Sequence, residues 1–350
     1  MINSTKLFFT QAQMSVLSRM NKSTISRFIS TNKYNCLPLD CGTNRYSLED
    51  TRQIVRNFIG KDKFRRGETQ KKKIFTFYNF KGGVGKSVLS SQVALHLAIM
   101  GFNVLAIDLD PQSHLTLNCG IRNWAGKTMY DVMIEGCELD EVICKAFDGL
   151  DIIPANLGLT KLELPLVQKN QREMVLSKVL KAIVDSYDYI IIDTNPTISV
   201  LNINSLVAAN QILIPCSTQP LAYNGLALVF DGLRDLFDDL ERSVEMKIIP
   251  NMYDVKTITS QEVLGALRSE YGNFTVSTVI HKCEDVNISS KTGAPLISFA
   301  KKNSPALEDM ISLIHEMISM SEGELKSSDA IDLHGHTAIE RDDGHCLVLN

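Results

Sequence analysis

An apolar run that enters a glycine-rich loop and leaves it as a helix restricts what the rest of a chain can be. Residues 74–88 read Ile-Phe-Thr-Phe-Tyr-Asn-Phe-Lys-Gly-Gly-Val-Gly-Lys-Ser-Val. The β-prone residues Ile74 to Phe80 predict a strand. Val88, Leu89, Val93, Ala94, Leu97, Ala98 and Met100 recur at helical spacing, and Gly101 is placed to end that helix. Between strand and helix, Gly82, Gly83 and Gly85 let the backbone approach an anion with its N–H groups inward, and the helix start adds unpaired donors. Lys86 supplies a mobile charge for β- and γ-phosphates, and the Ser87 hydroxyl is a natural Mg²⁺ ligand. Lys81, Gly82, Gly83, Val84, Gly85, Lys86, Ser87 and Val88 are therefore the expected phosphate cradle.

The loop departs from the usual G-x-x-x-x-G-K-S/T pattern, because Phe80 holds the first glycine position and a second lysine, Lys81, follows it. Lys-Gly-Gly-Val-Gly-Lys-Ser resembles the deviant Walker A motif of the ParA/MinD ATPases, whose extra lysine is their signature. Two further stretches extend the resemblance. Asn103 to Asp110 is an apolar strand ending in Asp108 and Asp110, whose side chains alternate with Leu109 and point to the same side. Asp-Leu-Asp-Pro-Gln (108–112) looks like the family's second ATPase motif, which implies Asp110 on the attacking water and Asp108 in the Mg²⁺ shell. Tyr187 to Asp193 is the apolar strand with a terminal aspartate that a P-loop enzyme uses for Mg²⁺, so the expected metal set is Ser87, Asp108 and Asp193. Asn195 stands where the family has a proline.

Later segments continue the alternation. Strands are expected at 149–154, 211–216, from Met246 and at Phe274–Ile280, with helices over 161–185, 220–240 and 305–320. Pro250, Asn251 and Met252 fall where family members contact adenine. Lys256 replaces a usual arginine. Lys282 matches a basic position used for nonspecific DNA, although Glu284 and Asp285 beside it carry the opposite sign.

Charge divides the chain. Residues 1–73 carry a balance of +10 and residues 74–350 a balance of −14, so the N-terminal part is suited to meet a polyanion. From Thr10 to Thr31 the pattern predicts two short helices, the first capped by Thr10 and directing Met14, Leu17 and Met20 inward. A turn at Asn21-Lys22-Ser23 precedes the second, with Ile25, Phe28 and Ile29 inward. This layout offers Lys22, Ser23, Ser26 and Arg27 to DNA, or serves as a helical cap or dimerisation module. A third helix begins near Ser47, spaced with Asp50 as a capping box. The segment resembles a MerR-like winged helix and the operator-binding domain of the larger plasmid ParA proteins.

The expected organisation is a helix-turn-helix domain at 1–60, a basic linker at 61–73, an ATPase domain at 74–320 and a polar, acidic, disordered tail at 321–350. The expected fold class is α/β: a doubly wound, mostly parallel sheet preceded by the small winged domain. No apolar run approaches a transmembrane length and the N-terminus is polar, which points to the cytoplasm, and the family resemblance implies association with the nucleoid. Eight cysteines without a C-x-x-C pair read as reduced thiols.

The resemblance implies a partition ATPase of a low-copy plasmid or secondary chromosome that uses ATP and Mg²⁺. Its implied partners are a second copy in an ATP-dependent homodimer, operator and nonspecific DNA, and a ParB-like centromere-binding protein. Lys81 would reach the partner subunit's nucleotide, with Lys81, Lys86 and Asp110 as the catalytic set. Three other classes compete with this reading. A nucleotide-sensing repressor without turnover is opposed by Asp110, a MinD-like membrane ATPase by the acidic C-terminus, and an iron-protein reductase by the scattered thiols.

Overall fold

The computed structural model describes residues 7–38, 44–59, 74–301 and 303–322. The expected linker at 61–73 and residues 323–350 of the expected tail lie outside the described residues.

The N-terminal unit runs β1 (Phe8–Thr10), α1 (Gln11–Ser18), α2 (Lys22–Asn32), β2 (Leu37–Pro38), β3 (Asn44–Ser47) and α3 (Leu48–Phe58), with the strands in the antiparallel order β1-β3-β2. Thr10 caps α1 as its spacing predicts: its hydroxyl accepts the Gln13 N–H, while the Gln13 side chain accepts the Thr10 N–H at 2.8 Å. Ser47 caps α3 through the Asp50 N–H at 3.1 Å. One expectation is corrected. The turn between α1 and α2 falls at Arg19 to Asn21, because Arg19 closes α1 in the left-handed region (φ 54°), and Lys22 and Ser23 already belong to α2.

The body runs β4 (Ile74–Phe77), α4 (Lys86–Ile99), β5 (Val104–Asp108), α5 (His114–Asn118), α6 (Met129–Met133), β6 (Cys144–Phe147) and β7 (Leu150–Ile153). It continues through α7 (Glu163–Val167), α8 (Val175–Leu180), β8 (Tyr189–Asp193), α9 (Val200–Ala208), β9 (Gln211–Ser217), α10 (Pro220–Asn224), α11 (Leu226–Asp239) and β10 (Glu245–Asn251). The last helices are α12 (Ile258–Glu270), α13 (Glu284–Thr292), α14 (Leu296–Phe299) and α15 (Pro305–Glu322). Seven strands form one sheet in the order β10-β9-β4-β8-β5-β7-β6, parallel except for β6 against β7.

Strand side chains alternate between two apolar layers, as a doubly wound sheet requires. Phe75, Phe77, Val104, Ala106, Tyr189 and Ile191 join α4 and α15 on one face. Ile74, Leu105, Ile107, Ile190 and Ile192 face α6–α9 on the other. The antiparallel edge strand β6 has no counterpart in the sequence reading. Phe274–Ile280, expected as a strand, forms no continuous ladder: Thr275 bridges Ile248 of β10, with the Val276 N–H on the Ile248 carbonyl at 3.0 Å, and the Ile280 N–H reaches the Pro250 carbonyl at 2.9 Å. The ladder breaks at Pro250, which has no N–H to continue it, and Glu316 of α15 takes the N–H groups of Ser277 (2.7 Å) and Thr278 (3.1 Å).

The N-terminal unit shares the body's core. Met14, Leu17, Ile25 and Ile54 belong to the same apolar cluster as α4 and α15. Arg52 of α3 donates to the carbonyls of Ala98 and Phe102 at the C-terminal end of α4, and Arg56 lies 3.8 Å over the Phe102 ring. Gly149, at φ 92°, makes room for this arginine, since a Cβ there would stand 1.4 Å from Arg52 Nη1. A buried polar chain links the same parts. His96 of α4 accepts the Ile297 N–H at Nε2 (3.2 Å), its Nδ1 lies 2.7 Å from the Gln92 carbonyl, and the Ile297 carbonyl accepts from Gln13 of α1 at 2.7 Å.

Candidate active site

The loop between β4 and α4 is shaped by two glycines and two asparagines. Gly83 (φ 75°) and Gly85 (φ 93°) occupy the left-handed region, where a side chain costs about 1–2 kcal/mol. At Gly85 a second restriction applies, because a Cβ would lie 2.3 Å from Asn251 Nδ2. Asn251, the last residue of β10, donates that amide to the Val84 carbonyl at 2.8 Å. Asn79 works from the other side, donating to the Pro215 carbonyl at 2.9 Å and accepting the Lys81 N–H at 2.9 Å. The loop is thus fastened to β9 and β10 before any anion arrives.

Lys86 opens α4 and is buried, with Nζ donating to the Lys81 carbonyl at 3.1 Å. Burial lowers its pKa, and Asp193 and Asp110 oppose that shift. Asn118 of α5 donates to the Ser87 carbonyl at 3.2 Å.

Asp108 and Asp193 end adjacent parallel strands in register, and both are fully buried. Their surroundings differ. Asp108 accepts the Asp110 N–H at Oδ1 (3.0 Å), and at Oδ2 the N–H (2.8 Å) and hydroxyl (2.7 Å) of Thr116. Burial pushes its carboxyl up to about 7 against the pull of those hydrogen bonds. Neither oxygen of Asp193 has a partner at hydrogen-bond geometry. Burial and the neighbouring Asp108 hold the Asp193 pKa well above the usual carboxylate range, while Ser87 and Lys86 favour its charged form. A buried carboxylate with two bare oxygens beside a serine and a lysine suits a divalent cation carrying phosphate oxygens. Asp110 is buried in the next loop and accepts the Gln112 N–H at 2.9 Å.

The structure therefore brings Lys81–Val88, Asp108, Asp110 and Asp193 to one rim of the sheet. Asn251 joins them as a fastening for the loop, and Met252 (φ 56°) follows it half-buried, with Pro250 buried before it. On α2, Lys22, Ser23 and Arg27 are exposed and Ser26 is half-buried, while Ile25 and Ile29 are buried. Lys282 stands elsewhere, exposed beside Tyr253 after β10, to whose carbonyl its N–H donates at 2.9 Å. Sequence reasoning missed Asn79, Thr116 and Asn118. Only the polar character of these residues beside the motifs marked them.

Comparisons with known proteins agree with this geometry. A family model for an AAA domain matches residues 72–246. The cell division protein PomZ of Myxococcus xanthus is 34% identical over 69% of this chain and 76% of its own length. The chromosome-partitioning ATPase Soj of Treponema pallidum is 30% identical over 65% of this chain and 90% of its own. Among solved structures, a putative plasmid partition protein from Borrelia burgdorferi bound to AMPPNP superposes with a TM-score of 0.61 at 25% identity, over 71% of this chain and all of that one.

Proposed function

The chain belongs to the ParA family of partition ATPases, and on that premise we propose that it is a Mg²⁺-dependent ATPase that segregates a plasmid or secondary chromosome. The observation that carries this reading is the bare Asp193 carboxylate buried beside Lys86 and Ser87. The backbone of Gly82 to Val88 would cradle the phosphates and Lys86 their β- and γ-oxygens. Mg²⁺, held by Ser87 and Asp193 with Asp108 one strand away, would neutralise charge on the phosphates. Asp110 would orient the attacking water, and Pro250, Asn251 and Met252 would flank the base.

Pairing of two chains across this rim is supported by the apolar side chains exposed on the loops and helix starts after its strands. Ile198 follows β8, Leu221 follows β9, and Val255 and Ile258 follow β10. In such an ATP-dependent homodimer Lys81 would reach the partner subunit's nucleotide and stabilise charge that builds up there. Operator binding and autorepression through a winged N-terminal domain are supported by the basic face of α2 and by the small sheet beside it. Nonspecific DNA, with Lys282 as one contact, and a ParB-like activator complete the set of partners. The work would take place in the cytoplasm, on the nucleoid.

ATP hydrolysis by the wild type and Asp110→Ala, with and without nonspecific DNA and the product of the adjacent downstream gene, tests the reading. A low basal rate that rises with both additions and vanishes in the variant is expected. A flat, negligible rate with nucleotide-dependent operator binding would instead make the chain a nucleotide-sensing repressor.

A further inference from the structure

Two buried carboxylates in register, one bare and one fully bonded, do different work. Asp193 presents unpartnered oxygens, whereas Asp108 already takes three donors, of which one is the Asp110 backbone N–H and two belong to Thr116. The Thr116 hydroxyl also accepts the Ala155 N–H at 3.0 Å just past β7. Ser113 adds a second tie to that strand exit, donating to the Ala155 carbonyl at 3.0 Å, and its N–H closes the turn onto the Asp110 carbonyl at 2.8 Å. The backbone of the residue proposed to orient the water is thus tied through a chain of bonds: its N–H hangs from Asp108, and Asp108 hangs from Thr116.

We propose that Thr116 is a positioning residue for hydrolysis, holding Asp108 as a scaffold that fixes where Asp110 stands. The proposal rests on the ATPase reading and on the role given there to Asp110. It assigns the adjacent carboxylates separate duties, with Asp193 facing the cation and Asp108 facing the protein. A hydroxyl that donates to a carboxylate and accepts from a neighbouring strand aligns the acid as outer hydrogen bonds align the ligands of a metal, where their loss costs about 10–100-fold. Thr116→Val keeps the shape and the backbone N–H but removes both hydroxyl bonds, and Thr116→Ser keeps them.

The test is steady-state hydrolysis of Mg²⁺-ATP by the full chain with nonspecific duplex DNA, beside the affinity of each variant for a fluorescent ATP analogue. Amide hydrogen exchange over residues 108–116 supplies a readout independent of turnover. Thr116→Val is expected to lower kcat by about tenfold or more, with KM and analogue affinity unchanged within about twofold and with faster exchange in this loop. Thr116→Ser should restore the rate to within about threefold of wild type. An unchanged rate in Thr116→Val, a serine variant no better than valine, or a loss of analogue affinity in step with kcat would overturn the positioning role. A wild type without turnover under any addition would remove the ATPase reading and this proposal together, which separates the two failures.

Discussion

Asp193 is a buried carboxyl whose charged form Ser87 and Lys86 compensate only in part. Its pKa is raised well above the usual value by burial first and by Asp108 second. For a carboxylate the sign of that shift means the folded state is weakened at neutral pH and recovers as pH falls and the group protonates. Asp193→Asn is therefore expected to raise the nucleotide-free melting temperature by a few degrees, roughly 1–3 kcal/mol of relief. The same variant should lose the extra stabilisation that Mg²⁺-ATP gives the wild type. Differential scanning fluorimetry with and without Mg²⁺-ATP checks both, and a melting temperature that falls in the nucleotide-free variant would mean that Asp193 has a partner the geometry does not show.

At the level of elements, the joint between α3 and α4 invites a direct test. Arg52 caps the C-terminal carbonyls of α4, and Gly149 leaves the space its guanidinium fills. Arg52→Ala should cost about 2 kcal/mol, as charged hydrogen bonds to buried carbonyls do. Gly149→Ala should cost as much or more by expelling the same side chain, and the double variant should fall short of the sum. Urea unfolding of the three proteins measures this, and strict additivity would count against the joint. The sequence made much of this region legible and left the joint itself hidden. The strand that ends at Asp193 could be read as a short continuous apolar run, and the helix after Lys86 because its apolar residues recur with a period of 3.6. Phe274–Ile280 has the same apolar and β-branched character yet extends no ladder past its bridge to β10, because Pro250 has no N–H to continue it and Glu316, about forty positions downstream, takes the Ser277 and Thr278 N–H groups. Asn251 and Thr116 escaped as loop fastenings for the same reason: a single polar residue shows its purpose only when its distant partner is known.

Across the whole molecule the buried polar chain through His96 ties the nucleotide helix to the N-terminal unit. Burial lowers the His96 pKa from 6.5 to about 4. The folded state thus resists a proton that the unfolded chain accepts, so stability is complete above pH 6.5 and declines as pH falls from 6.5 to 4. The full loss is about 3 kcal/mol. Asp108, raised to about 7, works in the opposite direction, so the informative quantity is the difference between wild type and His96→Gln. The wild type should lose stability relative to this variant between pH 7 and pH 5, and parallel pH curves would remove His96 from the account.

The joint at the far end of α4 also has a consequence for reach. The helix has 14 residues and spans about 20 Å, with the phosphate loop at one end and α3 docked at the other. Chains that paired across the sheet's rim would carry their N-terminal units on the sides turned away from each other, each fixed by a shared core. Such a pair would be a double-ended hook whose span is set by the thickness of two rigid bodies. Were each N-terminal unit to bind DNA as proposed, the pair would join two separate stretches, and the proposed hydrolysis at the rim would be the step that unfastens the middle.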